Sequence, residues 1–307
     1  METTMEEIID QLKHIFVYLL TPSTTIFVVG GLIVLLVPIL VHFFISRATP
    51  YTNLPSILLA GPPGAGKTAL LTLLERGANG HAATHTSQAP QAVELTVSRD
   101  GGSSLPFREA ARDDAPGSHK KFLLVDTPGH GKLHKHAMDR IEASSSKDKE
   151  KENGALRGIV FVVDAAALDE TSPEGLTAAA DYLYEVLLAL QRRTGSGRTS
   201  QAPRALHVLV AANKLDLFTA LPASLVRSRL EAELGRIRRS RSKGLLDSGV
   251  GNDDVGSEEQ DDWLGAYGSE KFAFGQMREF DVEVEVVGGS VLEGKVDKWW
   301  DWISERI

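Results

Sequence analysis

The chain has 307 residues, no cysteine, and a formal net charge of −8 from 33 Lys and Arg against 41 Asp and Glu. The lack of cysteine excludes disulfides, thiol catalysis and thiolate-bound zinc or iron–sulfur clusters, and it fits a reducing compartment for most of the chain. The mildly acidic balance argues against a protein whose main task is to coat nucleic acid, and no sequence-specific nucleic-acid binding is expected.

The apolar residues are unevenly spread. After an acidic start (Glu2, Glu6, Glu7, Asp10), Ile26–Ile45 gives twenty residues without a formal charge. At about 1.5 Å per residue such a helix spans roughly 30 Å, the hydrocarbon thickness of a bilayer. This predicts a single transmembrane helix over 26–45, in which Gly30, Gly31 and Pro38 are tolerated. The acidic start and the bulky Phe43, Phe44 and Ile45 argue against a cleaved signal peptide. Arg47 follows the stretch directly, whereas Lys13 is the one basic residue before it. That bias is small and permits a short tail, 1–25, outside and a large C-terminal part in the cytosol.

Beyond a linker over 46–53, residues 54–307 read as alternating strands and helices. Strands are expected at Ser56–Ala60, Val93–Val97, Phe122–Val125, Ile159–Val163, Leu206–Ala211 and Val282–Val287. Helical patterns cover Thr68–Arg76, Gly175–Arg192 and Ser224–Leu234, and Val296–Ile307 has apolar residues at helical spacing. This alternation predicts an α/β fold, a mainly parallel sheet with helices on both faces. Three stretches look like surface inserts, at about 99–119, 143–155 and 236–270. The last opens with the basic run RIRRSRSK and turns acidic. Its charge is compatible with ribosomal RNA or lipid headgroups and decides between neither.

Three motifs carry chemistry. Gly61, Pro62, Pro63, Gly64, Ala65, Gly66, Lys67 and Thr68 match the phosphate-loop pattern G-x-x-x-x-G-K-[ST], with a strand before and a helix after. Pro62 and Pro63 lack N–H groups, so phosphate must be held by amides from Gly64 to Ala69. Lys67 supplies charge, and Thr68 offers a hydroxyl to Mg²⁺. Asp126-Thr127-Pro128-Gly129-His130 follows a strand; Asp126 is suited to hold Mg²⁺ and Gly129 to offer its amide to a third phosphate. Asn213-Lys214-Leu215-Asp216 supplies a carboxylate that matches the paired donors of guanine, which adenine lacks. All three motifs end strands, where open α/β sheets bind ligands. Gly289 and Ser290, after the last strand, suit a second contact to the base. In Thr84-His85-Thr86-Ser87, Thr86 is favoured over Thr84 to complete the Mg²⁺ shell.

GPPGAGKT, DTPGH and NKLD resemble those of Ras-like small GTPases of the Arf/Sar-like branch. With the apolar span in front, the chain is similar to the signal recognition particle receptor β-subunit family over about residues 26–307. That resemblance implies a six-stranded P-loop GTPase domain with GTP and Mg²⁺ as ligands. It implies an endoplasmic reticulum location with residues 1–25 lumenal, and proximity to the ribosome or translocon. The partner implied is the N-terminal domain of the receptor α subunit, bound in the GTP state and so recruited for cotranslational targeting. Thr86 would lie in the first switch and Asp126–His130 in the second. His130 takes the position of the residue that orients the attacking water, the one catalytic candidate, and Pro63 stands where most relatives carry glycine. Both suggest slow intrinsic hydrolysis. The competing readings are an Arf/Sar-like trafficking GTPase, disfavoured by the permanent span, and an ATP-using phosphotransferase, disfavoured by Asn213–Asp216.

Overall fold

Each short apolar run of the C-terminal part becomes a strand, because β-branched and leucine side chains alternate between two faces that are both covered. The structure is a computed structural model and describes residues 10, 13, 28, 31–41, 54–77, 84–98, 119–144, 155–168, 173–195, 205–247, 263–265, 269 and 271–307. The chain divides into two units, Met1–Thr52 and Asn53–Ile307. In the first, residues 31–41 are helical with apolar side chains exposed, Val34 to 74%. Among the described residues, no helix is long and apolar enough to cross a membrane. Apart from Val28, the rest of the expected span lies outside the described residues, as does the linker 46–53.

The second unit holds strands β1 (Ser56–Ala60), β2 (Gln91–Ser98), β3 (His119–Asp126), β4 (Leu156–Asp164), β5 (Leu206–Asn213) and β6 (Val282–Gly288). Its helices are α1 (Lys67–Arg76), α2 (Lys135–Ala143), α3 (Pro173–Gly195), α4 (Ala223–Asp247) and α5 (Asp297–Ser304). Short 3₁₀ helices cover Gly131–Leu133 and Phe274–Phe280. One six-stranded sheet has the order β2-β3-β1-β4-β5-β6. Only the β2–β3 pair is antiparallel. This is the expected mainly parallel α/β sheet.

Side-chain alternation splits the core in two. Leu58, Ala60, Ile159, Phe161, Val163, Val208 and Val210 face α3, α4 and the Phe274–Phe280 turn. Ile57, Leu59, Val160, Val162, Leu209 and Ala211 face α1 and α5. The terminal helix packs on this second face: Trp299, Trp300, Trp302 and Ile303 are all buried. The apolar residues of this terminal segment therefore serve the core of the domain. Gly158 makes room for this helix, since a Cβ there would stand 2.9 Å from the Trp302 ring.

The insert expected from 236 begins inside α4, which continues to Asp247. The basic run that opens it has the pattern of a solvated surface, yet Arg238 is only 1% exposed. Its guanidinium donates to the Leu264 carbonyl and the Ser269 hydroxyl, each at 3.1 Å. It also lies 4.5 Å from the centre of the Trp263 ring. Gln191 of α3 secures the same segment, donating to Trp263 O at 2.7 Å and accepting from Gly265 N at 2.8 Å. Charge that looks solvated in sequence is buried because partners some thirty residues on accept from both terminal nitrogens of the guanidinium. Residues 99–118, 145–154 and 248–262 of the three inserts lie outside the described residues.

Trp299 combines near-complete burial with an indole N–H donated to Val287 O at 3.0 Å. Trp299→Ala is expected to cost about 3–5 kcal/mol of stability, read as a lowered urea midpoint.

Candidate functional site

The loops that follow β1, β3, β4, β5 and β6 meet at one edge of the sheet, the C-terminal edge of its parallel strands. The first is Gly61–Gly66, closed by α1. Gly66 has φ 100°, and a Cβ there would stand 2.3 Å from Asn213 Nδ2. Only glycine combines that backbone with that contact. The contact is functional: Asn213 Nδ2 donates to Ala65 O at 2.8 Å, while its Oδ1 accepts from Val291 N at 3.0 Å. One buried side chain thus joins the phosphate loop to the end of β5 and to the loop after β6.

Lys67 folds back over its own loop, with Nζ donating to Gly61 O at 2.8 Å and Pro62 O at 2.9 Å. Burial lowers its pKa from 10.5 to about 8, against the raising influence of Asp126. Gly129 closes on the same point, since a Cβ there would lie 2.5 Å from Lys67 Nζ. An ammonium held this dry, with two carbonyls as its partners, suits an anion of high charge.

Asp126 is fully buried at the end of β3. Burial raises its pKa, opposed by hydrogen bonds from Thr68 and Ser87 and by the charge of Lys67. Thr68 Oγ1 donates to Asp126 Oδ2 at 2.6 Å, Ser87 Oγ donates to the same oxygen at 3.0 Å, and the two hydroxyls are 2.7 Å apart. Asp126 Oδ1 is buried without a hydrogen-bond partner. Among the described residues, no group of three or more His, Asp or Glu would hold a metal unaided. Two hydroxyls and one under-satisfied carboxylate fit Mg²⁺, which keeps waters and takes its remaining oxygens from phosphate. Thr68 and Asp126 are therefore brought together as expected. Thr86 and Thr84 are exposed and line the cleft, while it is Ser87 that touches the pair. Ser87 carries an equally suited hydroxyl within the same four residues, and nothing in Thr84–Ser87 alone marks it out.

This cleft, about 240 Å³, is lined by Pro63, Gly64, Gly66, Lys67, Thr68 and Ala69 from the first loop and by Gly129 opposite. His130 is exposed, and its Nδ1 accepts from Lys132 N at 3.4 Å as the cap of the short 3₁₀ helix.

At the other end lie the base-reading candidates. Lys214 adopts a left-handed backbone, φ 65°, and its Nζ donates to Asp164 Oδ2 at 2.6 Å. Asp164, at the end of β4, was not singled out in the sequence; the signal was a carboxylate ending an apolar strand. Asp216 Oδ1 accepts from Ser290 Oγ at 2.5 Å, and Ser290 Oγ in turn accepts from Glu293 N. Gly289 N donates to Ala212 O, and Leu215 N to Gly289 O. Ser290 thus holds Asp216 directly, while Asn213 and Gly289 tie the end of β5 to the loop after β6 and Lys214 ties it to the end of β4.

The family described as Signal recognition particle receptor beta subunit matches residues 52–280. A Saccharomyces cerevisiae relative, signal recognition particle receptor subunit beta, is 30% identical over 82% of this chain and 84% of its own length. The solved SRb-GTP/SRX complex from Chaetomium thermophilum contains a chain 42% identical, with a TM-score of 0.66 over 82% of this chain and all of that one. The SRb-GDP-Mg structure from the same organism is 44% identical with a TM-score of 0.61, over 84% of this chain and all of that one. The chain belongs to the signal recognition particle receptor beta subunit family.

The buried Lys67 yields a pH test. Its folded pKa, about 8, lies below the unfolded value of 10.5. Between these values the unfolded chain binds more protons, so stability without nucleotide rises with pH. Relative to Lys67→Met, the chain should gain about 2–3 kcal/mol of unfolding free energy from pH 7 to pH 10. Urea titrations across that range would read the difference.

Proposed function

We propose that this chain is the GTP-regulated, membrane-anchored subunit of a signal recognition particle receptor. Residues 26–45 cross the endoplasmic reticulum membrane, 1–25 are lumenal, and the domain from 54 to 307 is cytosolic. In its GTP state that domain binds the N-terminal domain of the receptor α subunit and recruits it for cotranslational targeting, close to the ribosome or translocon.

One observation carries the reading. Lys67, the Thr68–Ser87–Asp126 cluster, and the Asn213–Asp216–Ser290 unit converge on one sheet edge, in the order that phosphate, cation and base require. The amides from Gly64 to Ala69 cradle phosphates, and Lys67 meets the outer ones. Thr68 and Asp126 hold Mg²⁺, with Ser87 or Thr86 added when the third phosphate is present. Asp216 selects guanine, held in place by Ser290. A relative solved as an SRb-GTP/SRX complex, and solved also with GDP and Mg, supports guanine nucleotide and Mg²⁺ as the ligands.

Hydrolysis is the slow step of this reading. His130 is exposed, its ring engaged with the backbone of its own turn. It must swing to the cleft to orient water, and Pro63 stands in the approach of a helper arginine.

The full chain in detergent, offered to the receptor α N-terminal domain with GTP, GDP or no nucleotide, should retain it in GTP alone. Equal retention in GTP and GDP would refute the switch. No retention with GTP verifiably loaded would refute the receptor assignment.

A further inference from the structure

Between Gly129 and α2 the chain makes a tight excursion, Gly129-His130-Gly131-Lys132-Leu133-His134, whose middle is the 3₁₀ helix Gly131–Leu133. Its second histidine turns back. His134 Nε2 stands 3.1 Å from Gly129 O; a carbonyl only accepts, so Nε2 carries the proton and donates it. The imidazole plane lies flat on Tyr182 of α3, ring centres 3.5 Å apart and 8° from parallel. His134 Nδ1 is 3.7 Å from Glu185 Oε2, one turn further along α3. Tyr182 is itself 1% exposed and packs edge-on against Phe161 of β4. The histidine is therefore fixed on the rigid body of the domain and holds the carbonyl of Gly129, a residue packed too close to Lys67 Nζ to carry a side chain.

Gly129 is the one residue of the second motif that lines the phosphate cleft. Its neighbours in space are Lys67 Nζ and the Gly61 and Pro62 backbone, so it stands at the end where a third phosphate would lie. The carbonyl that His134 holds belongs to the peptide joining Gly129 to His130. Fixing it restricts rotation about Gly129, a residue with no side chain of its own to do so.

We propose that His134 is a positioning residue, a latch that ties the Gly129 loop to α3 through Tyr182 and Glu185 and sets the loop's readiness for the third phosphate. The inference rests on the guanine-nucleotide reading above. Latched, Gly129 meets the third phosphate without an ordering cost. Released, the loop must be ordered by the ligand itself, and a nucleoside triphosphate is held less firmly. A diphosphate does not reach Gly129 and is indifferent to the latch.

The test uses the full chain in detergent, loaded with fluorescent GDP or with a fluorescent non-hydrolysable GTP analogue, and reads dissociation rates. His134→Ala should release the GTP analogue about five- to tenfold faster, the equivalent of one hydrogen bond. GDP release should change by less than about twofold. His134→Gln, which keeps an amide N–H at similar reach, should restore slow release of the analogue. The latch is overturned by unchanged release of the analogue, by equal acceleration for both nucleotides, or by a glutamine variant as fast as alanine. If the unmodified chain retains neither nucleotide, the guanine-nucleotide reading falls, and the latch with it.

Discussion

The two hydrogen bonds of the Asn213 side chain hold the site together. Its amide donates to Ala65 in the first loop and accepts from Val291 beyond the last strand, joining β1, β5 and β6 through a single buried group. An unpaired buried amide costs about 1–3 kcal/mol, so neither loop moves away cheaply. The rest follows from this tie. Gly66 must be glycine because Asn213 leaves no room for a Cβ. Leu215 and Gly289 are then near enough to exchange a backbone bond, and Ser290 is near enough to hold Asp216.

The phosphate end works on a different principle, that of under-satisfied charge. Burial pushes Lys67 down to about 8 and pushes the Asp126 carboxyl up. Both groups are costly as they stand, and a nucleotide with a cation would relieve both. Phosphate oxygens would give Lys67 an anionic partner, and a divalent ion would satisfy the buried Asp126 Oδ1. The hydroxyls of Thr68 and Ser87 keep the carboxylate oriented until then.

Much of this was legible in the sequence because it is local. Six strands are set by six apolar runs, and the phosphate loop and Asn213–Asp216 are contiguous motifs whose chemistry lies in their own residues. What escaped is non-local. Ser87 reaches Asp126 across 39 positions, and nothing in Thr84–Ser87 alone ranks one hydroxyl above the others. Arg238 reads as part of a solvated basic run, and only partners at Trp263, Leu264 and Ser269 explain its burial. The helix α2 was missed since its apolar face, Ala137 and Ile141, is thin and flanked by charge. The Lys214–Asp164 pair joins the ends of two strands, a neighbourhood that only the sheet order creates.

The central claim is that this sheet edge holds a guanine nucleotide, with Asp216 as the base reader. The most direct measurement is calorimetric titration of the full chain with GTP and with ATP, both with Mg²⁺, repeated on Asp216→Asn. GTP should bind at least about 100-fold more tightly than ATP, because mispairing leaves buried polar groups unsatisfied. The variant should lose most of that preference. Equal affinities for the two nucleotides, or an undiminished preference in the variant, would contradict the account.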